Sequence, residues 1–233
     1  MRYIAVLSGG LDSAVALAMT IPGNEIVLAL TFLYGQRAAR REQQAAALLC
    51  RHYGIGHLVL ELPFLAAVTG TALVNTSREL PSPDPADLDD PAKSQETAAA
   101  VWVPNRNGLF LNVAACYAES LEAKGLITGF NAEEGATFPD NTPEFVQATN
   151  AAFRHSTANA VEVVSPVGNW DKTRILTEAL RLRVPLAAIW SCYLGGESPC
   201  GECESCRRSR RACAAVGRSE LWADFGQVAG GRC

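Results

Sequence analysis

Two short stretches of this chain carry residue types at spacings that do chemistry. In the first, Ser8-Gly9-Gly10-Leu11-Asp12-Ser13 follows the apolar run Tyr3-Ile4-Ala5-Val6-Leu7 and leads into Ala14-Val15-Ala16-Leu17-Ala18. A strand, a glycine turn and a helix start therefore coincide. A helix N-terminus offers unpaired backbone N–H groups and about half a positive charge, and two glycines let an anion approach the chain without meeting a Cβ. Ser8 and Ser13 add hydroxyl donors, so a phosphate is the expected ligand. In the second stretch, Cys192, Cys200, Cys203 and Cys206 form C-x7-C-x2-C-x2-C, with Gly195, Gly196, Pro199 and Gly201 supplying turns. Thiolates at this spacing can close a tetrahedral zinc site that leaves no position for water, which makes the zinc structural. An iron–sulfur cluster is the rival reading, but the fourth-cysteine-proline element of ferredoxins is missing. Cys213 lies two helical turns further on and reads as a spectator.

These groups need a scaffold that aims them. Apolar strand candidates recur at Arg2 to Leu7, Glu25 to Thr31, His57 to Leu62, Gly125 to Gly129 and Val161 to Ser165. Helical spacing fills Gln43 to Tyr53, Gly108 to Ala123 and Glu144 to Ala160, the last opened by a Thr142 cap and Pro143. Asp171 caps another helix, running to about Leu182. Alternating strands and helices imply a doubly wound α/β fold with a parallel five-stranded sheet, and ligands at the carboxyl ends of its strands. The glycine turn lies at one such end and Thr31-Phe32-Leu33-Tyr34-Gly35-Gln36-Arg37 at the next, where backbone amides and Phe32 or Tyr34 can receive an adenine. Residues 1–185 are expected to form the α/β domain and residues 186–233 a zinc-binding segment packed on it. Between about residues 70 and 106 periodicity fails among Pro81, Pro83, Pro85 and Pro91, which leaves either a lid ordered by substrate or a solvated insertion.

Composition narrows the partners. A formal net charge of −4 argues against a constitutive nucleic-acid binder. Arg207, Arg208, Arg210 and Arg211 form one basic cluster, readable as a solvated helix face or as an RNA contact. No apolar run approaches the roughly 20 residues of a membrane span, and the expected location is the cytoplasm. The chain's 8 cysteines then read as thiols and metal ligands rather than disulfides. Cys50 and Cys116 sit in apolar helical patterns as buried thiols, and Cys233 is a further scattered one.

S-G-G-x-D-S lacks the lysine and the wider glycine spacing of a Walker A loop. It resembles instead the PP-loop of ATP pyrophosphatases, which hold the β and γ phosphates as a leaving group while a nucleophile attacks the α phosphate. Further blocks extend the resemblance: Tyr34-Gly35-Gln36-Arg37, Val103-Pro104-Asn105-Arg106-Asn107, Gly129-Phe130-Asn131-Ala132-Glu133, Phe138-Pro139-Asp140, Pro143-Glu144-Phe145 and Trp190-Ser191-Cys192-Tyr193 with the cysteine cluster. In this order the chain resembles the QueC family of 7-cyano-7-deazaguanine synthases. The resemblance implies an adenine nucleotide alpha hydrolase-like fold, ATP with Mg2+, structural Zn2+, a homodimer, and an ATP-dependent carbon–nitrogen ligase acting on 7-carboxy-7-deazaguanine and ammonia.

It also implies roles. Leu7, Ser8, Gly9, Gly10, Leu11, Asp12, Ser13, Thr31, Phe32, Gln36 and Arg37 would hold ATP, and Lys172, Asp12 and Arg106 would act in catalysis. Lys172 would meet the α phosphate, or else stand in solvent on a first helical turn. Arg106, with Asn107 and Gly129 beside it, would take a carboxylate or phosphate, or else pair with a lid acid. The guanine-like edge of the base wants a carboxylate acceptor, for which Glu133 and Asp140 are the candidates, and Phe138 is placed to stack on the ring. Three other readings stand beside this one. A relative could stop at the amide or join the activated carboxylate to another amine, even a protein amine. A tRNA thiolase would need a reactive cysteine, for which only Cys116 offers itself. The cysteine region could serve as a zinc-ribbon binding module.

Overall fold

The computed structural model describes residues 1–227, so Cys233 lies outside the described residues. Strands β1 (Arg2–Val6), β2 (Glu25–Leu33), β3 (His57–Glu61), β4 (Gly125–Ile127) and β5 (Glu162–Val164) form a parallel sheet of order β3-β2-β1-β4-β5. The helices are α1 (Leu11–Thr20), α2 (Ala39–Tyr53), α3 (Phe64–Ala67), α4 (Pro91–Val101), α5 (Arg106–Ser120), α6 (Ala132–Gly135), α7 (Pro143–Ser156), α8 (Lys172–Arg181) and α9 (Glu204–Ala215). Side chains alternate across a strand, and both faces of this sheet are covered. Ala5, Leu7, Ala29 and Ile127 face a core with α1, α2, α8 and α9, whereas Ile4, Leu30, Leu126 and Val163 face α5 and α7.

The chain moves from β1 outward to β3 and then returns to place β4 on the other side of β1. Strand order therefore reverses between β1 and β4, and a doubly wound sheet opens its ligand crevice at the carboxyl ends of such a pair. The expected caps are present. Thr142 Oγ1 accepts from Phe145 N–H at 3.1 Å and Asp171 Oδ1 from Arg174 N–H at 2.7 Å. Helix α2 starts before the expected Gln43, because Arg40, Arg41 and Glu42 interrupt the apolar pattern that reveals its later turns. Helix α7 stops before the expected Ala160, where the Thr157 hydroxyl accepts from Val161 N–H at 3.0 Å.

The stretch from 70 to 106 contains an unexpected helix. Asp90 Oδ1 caps α4 by accepting from Ala92 and Lys93 N–H at 2.9 and 3.2 Å, with Pro91 in its first turn. Only Ser94, Ala98 and Val101 of this helix are buried, too small an apolar stripe to show as periodicity. Leu73, Val101 and Val103 join Tyr34 and Leu65 in a small core of their own, and the stretch packs as a cover beside the ends of β2 and β3.

Two expectations change in the basic and thiol residues. Arg208 is not on a solvated face: it is buried, and it ion-pairs with Glu133 and Glu204 and donates to Leu88 O. Arg211 pairs with Asp89 and Glu133, while Arg207 donates to Ser82 Oγ, so one side of α9 fastens the 70–106 stretch. Cys50 is buried as expected, but Cys116 is exposed on α5, where its Sγ contacts Asn112 O at 3.4 Å. No described helix is long and apolar enough to cross a membrane.

Candidate active site

The turn after β1 leads directly into the N-terminus of α1. Gly9 has φ of +82°, and a Cβ there would lie 2.7 Å from Ala45 Cβ and 2.8 Å from Glu42 O, so only glycine fits. Gly10 is the extended cap of α1 and offers it no side-chain hydrogen bond. Ser8 Oγ accepts from Gly10 N–H at 3.2 Å and lies 3.1 Å from Ser13 Oγ, which places both hydroxyls on the rim of the helix N-terminus. Gly129, just after β4, packs on the first turn of α1, where a Cβ would sit 2.5 Å from Ser13 N. The crevice beside them is lined by Ser8, Asp12, Ser13, Tyr34, Glu42 and Arg106 among others.

At the phosphate end sits a buried pair that no local pattern announces. Lys172 is only 5% exposed at the start of α8, and its Nζ donates to Asp12 Oδ2 at 2.5 Å and reaches Glu134 Oε1 at 3.5 Å. Burial opposes the Lys172 charge, but Asp12, Glu134 and Glu133 hold the ammonium well above its ordinary value. Burial pushes the Asp12 carboxyl up to about 6; Lys172 pulls it down, while Glu134 and Glu133 push it further up. Several carboxylates thus share one ammonium, and Asp12 Oδ1 is buried with no hydrogen-bond partner among the described residues. An orphaned carboxylate oxygen beside a phosphate cradle suits a hard divalent cation.

Structure separates the other expected site residues into those that face the crevice and those that hold it. Leu7, Phe32, Asn107 and Gly129 line it with Arg106, whose Nη1 donates to Tyr34 OH at 2.9 Å. Thr31 is buried behind it, donating to Leu7 O at 2.7 Å, and Gly9, Gly10 and Leu11 form the turn itself. Gln36 is spent inside the wall: its amide donates to Phe32 O at 3.1 Å and Glu42 Oε2 at 2.8 Å. Arg37 reaches the carbonyls of Asn75 and Arg78 and pins the cover. Asp140 carries a carboxyl that burial raises, and it accepts from Asn141 Nδ2 at 3.2 Å.

Glu133 is turned away from the crevice. Its Oε1 accepts from Arg208 at 2.6 Å and Arg211 at 2.5 Å, and its Oε2 accepts from Lys172 N–H at 2.9 Å. Burial opposes its charge, but Lys172 N–H and Arg208 keep its carboxyl below the ordinary value. Phe138 stacks near-parallel on Trp102 at 6.1 Å and borders a small neighbouring pocket that includes Lys172 and Arg208. Glu42, Phe110 and Glu134 line the crevice although nothing in their spacing singled them out. Glu42 precedes the readable part of α2, and Phe110 reads as one more apolar residue of α5.

The four thiols Cys192, Cys200, Cys203 and Cys206 converge, with all sulfurs within 4.8 Å of one another. Cys200 and Cys206 Sγ are 3.8 Å apart, close to the roughly 3.8 Å edge of a tetrahedron with Zn–S bonds of about 2.3 Å. Backbone N–H groups of Leu194 and Cys200 point at Cys192 Sγ, and those of Glu202 and Cys203 at Cys200 Sγ, at 3.3 to 3.4 Å. Donors of this kind stabilise thiolate ligands. This is a structural four-cysteine metal site of the kind that holds Zn2+. It also backs the phosphate turn, because Trp190 N–H donates to Gly9 O at 2.9 Å and Ser191 Oγ accepts from Leu11 N–H at 3.4 Å.

Comparison with known proteins agrees with this geometry. The family model described as "Queuosine biosynthesis protein QueC" matches residues 2–217. A "7-cyano-7-deazaguanine synthase" of Pelotomaculum thermopropionicum is 52% identical over 217 residues, covering 93% of this chain and 98% of that protein. Proteins with the same description from Desulforamulus reducens and Methanosarcina mazei are 52% and 46% identical, each over 93% of this chain and 95% of their own length.

Proposed function

The chain belongs to the QueC family, and from that premise we propose that its crevice converts 7-carboxy-7-deazaguanine and ammonia into 7-cyano-7-deazaguanine in an ATP-dependent ligation. The observation that carries this reading is the Lys172–Asp12 pair, held at 2.5 Å at the open N-terminus of α1. A carboxylate is a poor electrophile. Attack of its oxygen on the α phosphate expels pyrophosphate and leaves an acyl adenylate. Ammonia then displaces AMP to give the amide. A second ATP adenylates the amide oxygen, and loss of AMP and a proton leaves the nitrile.

The residues present serve the steps in which charge moves. The N-terminus of α1, with the Ser8 and Ser13 hydroxyls, would bind the β and γ phosphates and stabilise the departing pyrophosphate. Lys172 Nζ would stabilise charge on the α phosphate as the P–O bond breaks, held in place by Asp12. Mg2+, when bound, would neutralise phosphate charge, and Asp12 and Glu134 are the residues suited to hold it. Adenine is assigned to the apolar wall of Leu7 and Phe32, and the deazaguanine carboxylate to Arg106, whose planar fork matches carboxylate oxygens. The pairing of Arg106 with a lid acid is not needed, since its partner here is the Tyr34 hydroxyl.

The test is incubation with 7-carboxy-7-deazaguanine, ATP, Mg2+ and ammonium, followed by mass spectrometry. A product heavier than the substrate by ammonia and lighter by two waters is expected. An amide as the end product, or a conjugate with another amine, would overturn the nitrile.

A further inference from the structure

Of the carboxylates that sequence offered for the guanine-like edge of the base, Glu133 is engaged by Arg208, Arg211 and Lys172 N–H, and Asp140 is not among the residues that line the crevice. The crevice presents a different one. Glu42 lines the same crevice as Tyr34 and Arg106, on the first turn of α2, which packs against Gly9. Its Oε2 accepts from Gln36 Nε2 at 2.8 Å, and Gln36 is itself fixed by Phe32 O and by Tyr34 N–H, which donates to its Oε1 at 2.8 Å. Oε1 of Glu42 has no partner among the described residues. A carboxylate held by one oxygen keeps the other available as an acceptor.

The groups on the substrate match the groups in this crevice. Around a 7-carboxy-7-deazaguanine run the exocyclic amine, the ring N1–H, the O6 carbonyl and the carboxylate: two donors followed by two acceptors. Glu42 accepts only and Arg106 donates only. The two are close enough that each shifts the other's titration. We propose that Glu42 is the specificity residue that accepts the N1–H and exocyclic amine of the base, while Arg106 takes O6 and the carboxylate. This assignment rests on the reading of the crevice as the deazaguanine site. It ties base recognition to the phosphate cradle, because Gly9 packs directly on the Glu42 carbonyl.

The test compares Glu42→Gln with the wild-type protein on two substrates, 7-carboxy-7-deazaguanine and its analogue without the exocyclic amine. Hydrogen bonds to a charged acceptor support an increase of about 10- to 100-fold in KM for the natural base. The KM for ATP should stay within about twofold, and the wild-type preference for the amine-bearing base should collapse. Glu42→Asp, which keeps the charge but shortens the reach, should retain the preference with a smaller KM increase. If Glu42 serves only to hold Gln36 and the end of β2, Glu42→Gln lowers Tm, raises both KM values together and leaves the preference intact, and the proposal fails. A wild-type protein that makes no nitrile at all would instead overturn the reading of the crevice, before any variant is compared.

Discussion

Asp12→Asn should make the ligand-free protein more stable and nearly inactive, with a pH signature that identifies the cause. The Asp12 carboxyl lies at about 6 in the folded protein against 3.8 for the free side chain, raised chiefly by burial and by the neighbouring Glu134 and Glu133. The folded state therefore binds this proton more tightly than the unfolded chain does. Such a group stabilises the fold fully below pH 3.8, and that contribution is lost as pH rises toward 6. A difference of about two decades in proton affinity corresponds to about 3 kcal/mol at neutral pH and above. Asparagine keeps the shape of the protonated acid and cannot ionise. The gain should therefore be close to zero near pH 4, about half complete near pH 5 and at a plateau above about pH 7. For a chain of this size the plateau corresponds to roughly 5–10 °C in Tm. Thermal melts from about pH 4 to 8, without nucleotide or metal, measure it. Mg2+ with ATP should raise the wild-type Tm more than that of the variant, and kcat should fall by about 10²- to 10³-fold, as when one electrostatic donor to a transition state is lost. A variant less stable than wild type at about pH 8, or a difference independent of pH, would refute the claim that Asp12 is a strained anion awaiting a cation.

Two further outcomes follow from the packing. Arg208→Met removes the cation between Glu133 and Glu204, leaving Glu133 with Arg211 and the Lys172 N–H but the buried Glu204 without its ion-pair partner; breaking a buried pair this way costs about 3–5 kcal/mol. Denaturant melts should show that loss, and restoring about half of it with Glu204→Gln in the same chain would confirm the coupling. Stripping metal with a strong chelator, or replacing Cys206 by Ser, should release one zinc per chain by elemental analysis. Because Trp190 and Ser191 brace Gly9 and Leu11 from the segment that the metal clasps, ATP affinity should fall along with Tm. Undiminished ATP binding in the metal-free protein would separate the clasp from the cradle.

Much of the fold and part of the site were legible in the chain itself. Local physics is enough where a few neighbouring residues carry the whole message. An apolar run, two glycines and a helix start spell a strand, a tight turn and a helix N-terminus, and the spacing of the four cysteines spells a metal clasp. The alternation of strands and helices fixed the parallel sheet, since crossovers have one hand. The helix α4 escaped because it buries only small residues, and its Asp90–Pro91 cap was the one signal present.

What the chain order could not decide was which side chains share a space and which neutralise one another. Lys172 stands 160 residues from Asp12, and only the placement of α8 beside α1 buries the pair at 2.5 Å. Glu133 and Glu42 are both acids near family-like blocks. Tertiary packing gives the first to two arginines of α9 and leaves the second with one oxygen free in the crevice. A carboxylate's role depends on its counter-charges and solvent exposure, and both are set by residues far away in sequence. The sequence by itself determined the strand–turn–helix after β1, the metal clasp and the sheet that joins them. The tertiary structure decided which charges stay unspent for chemistry.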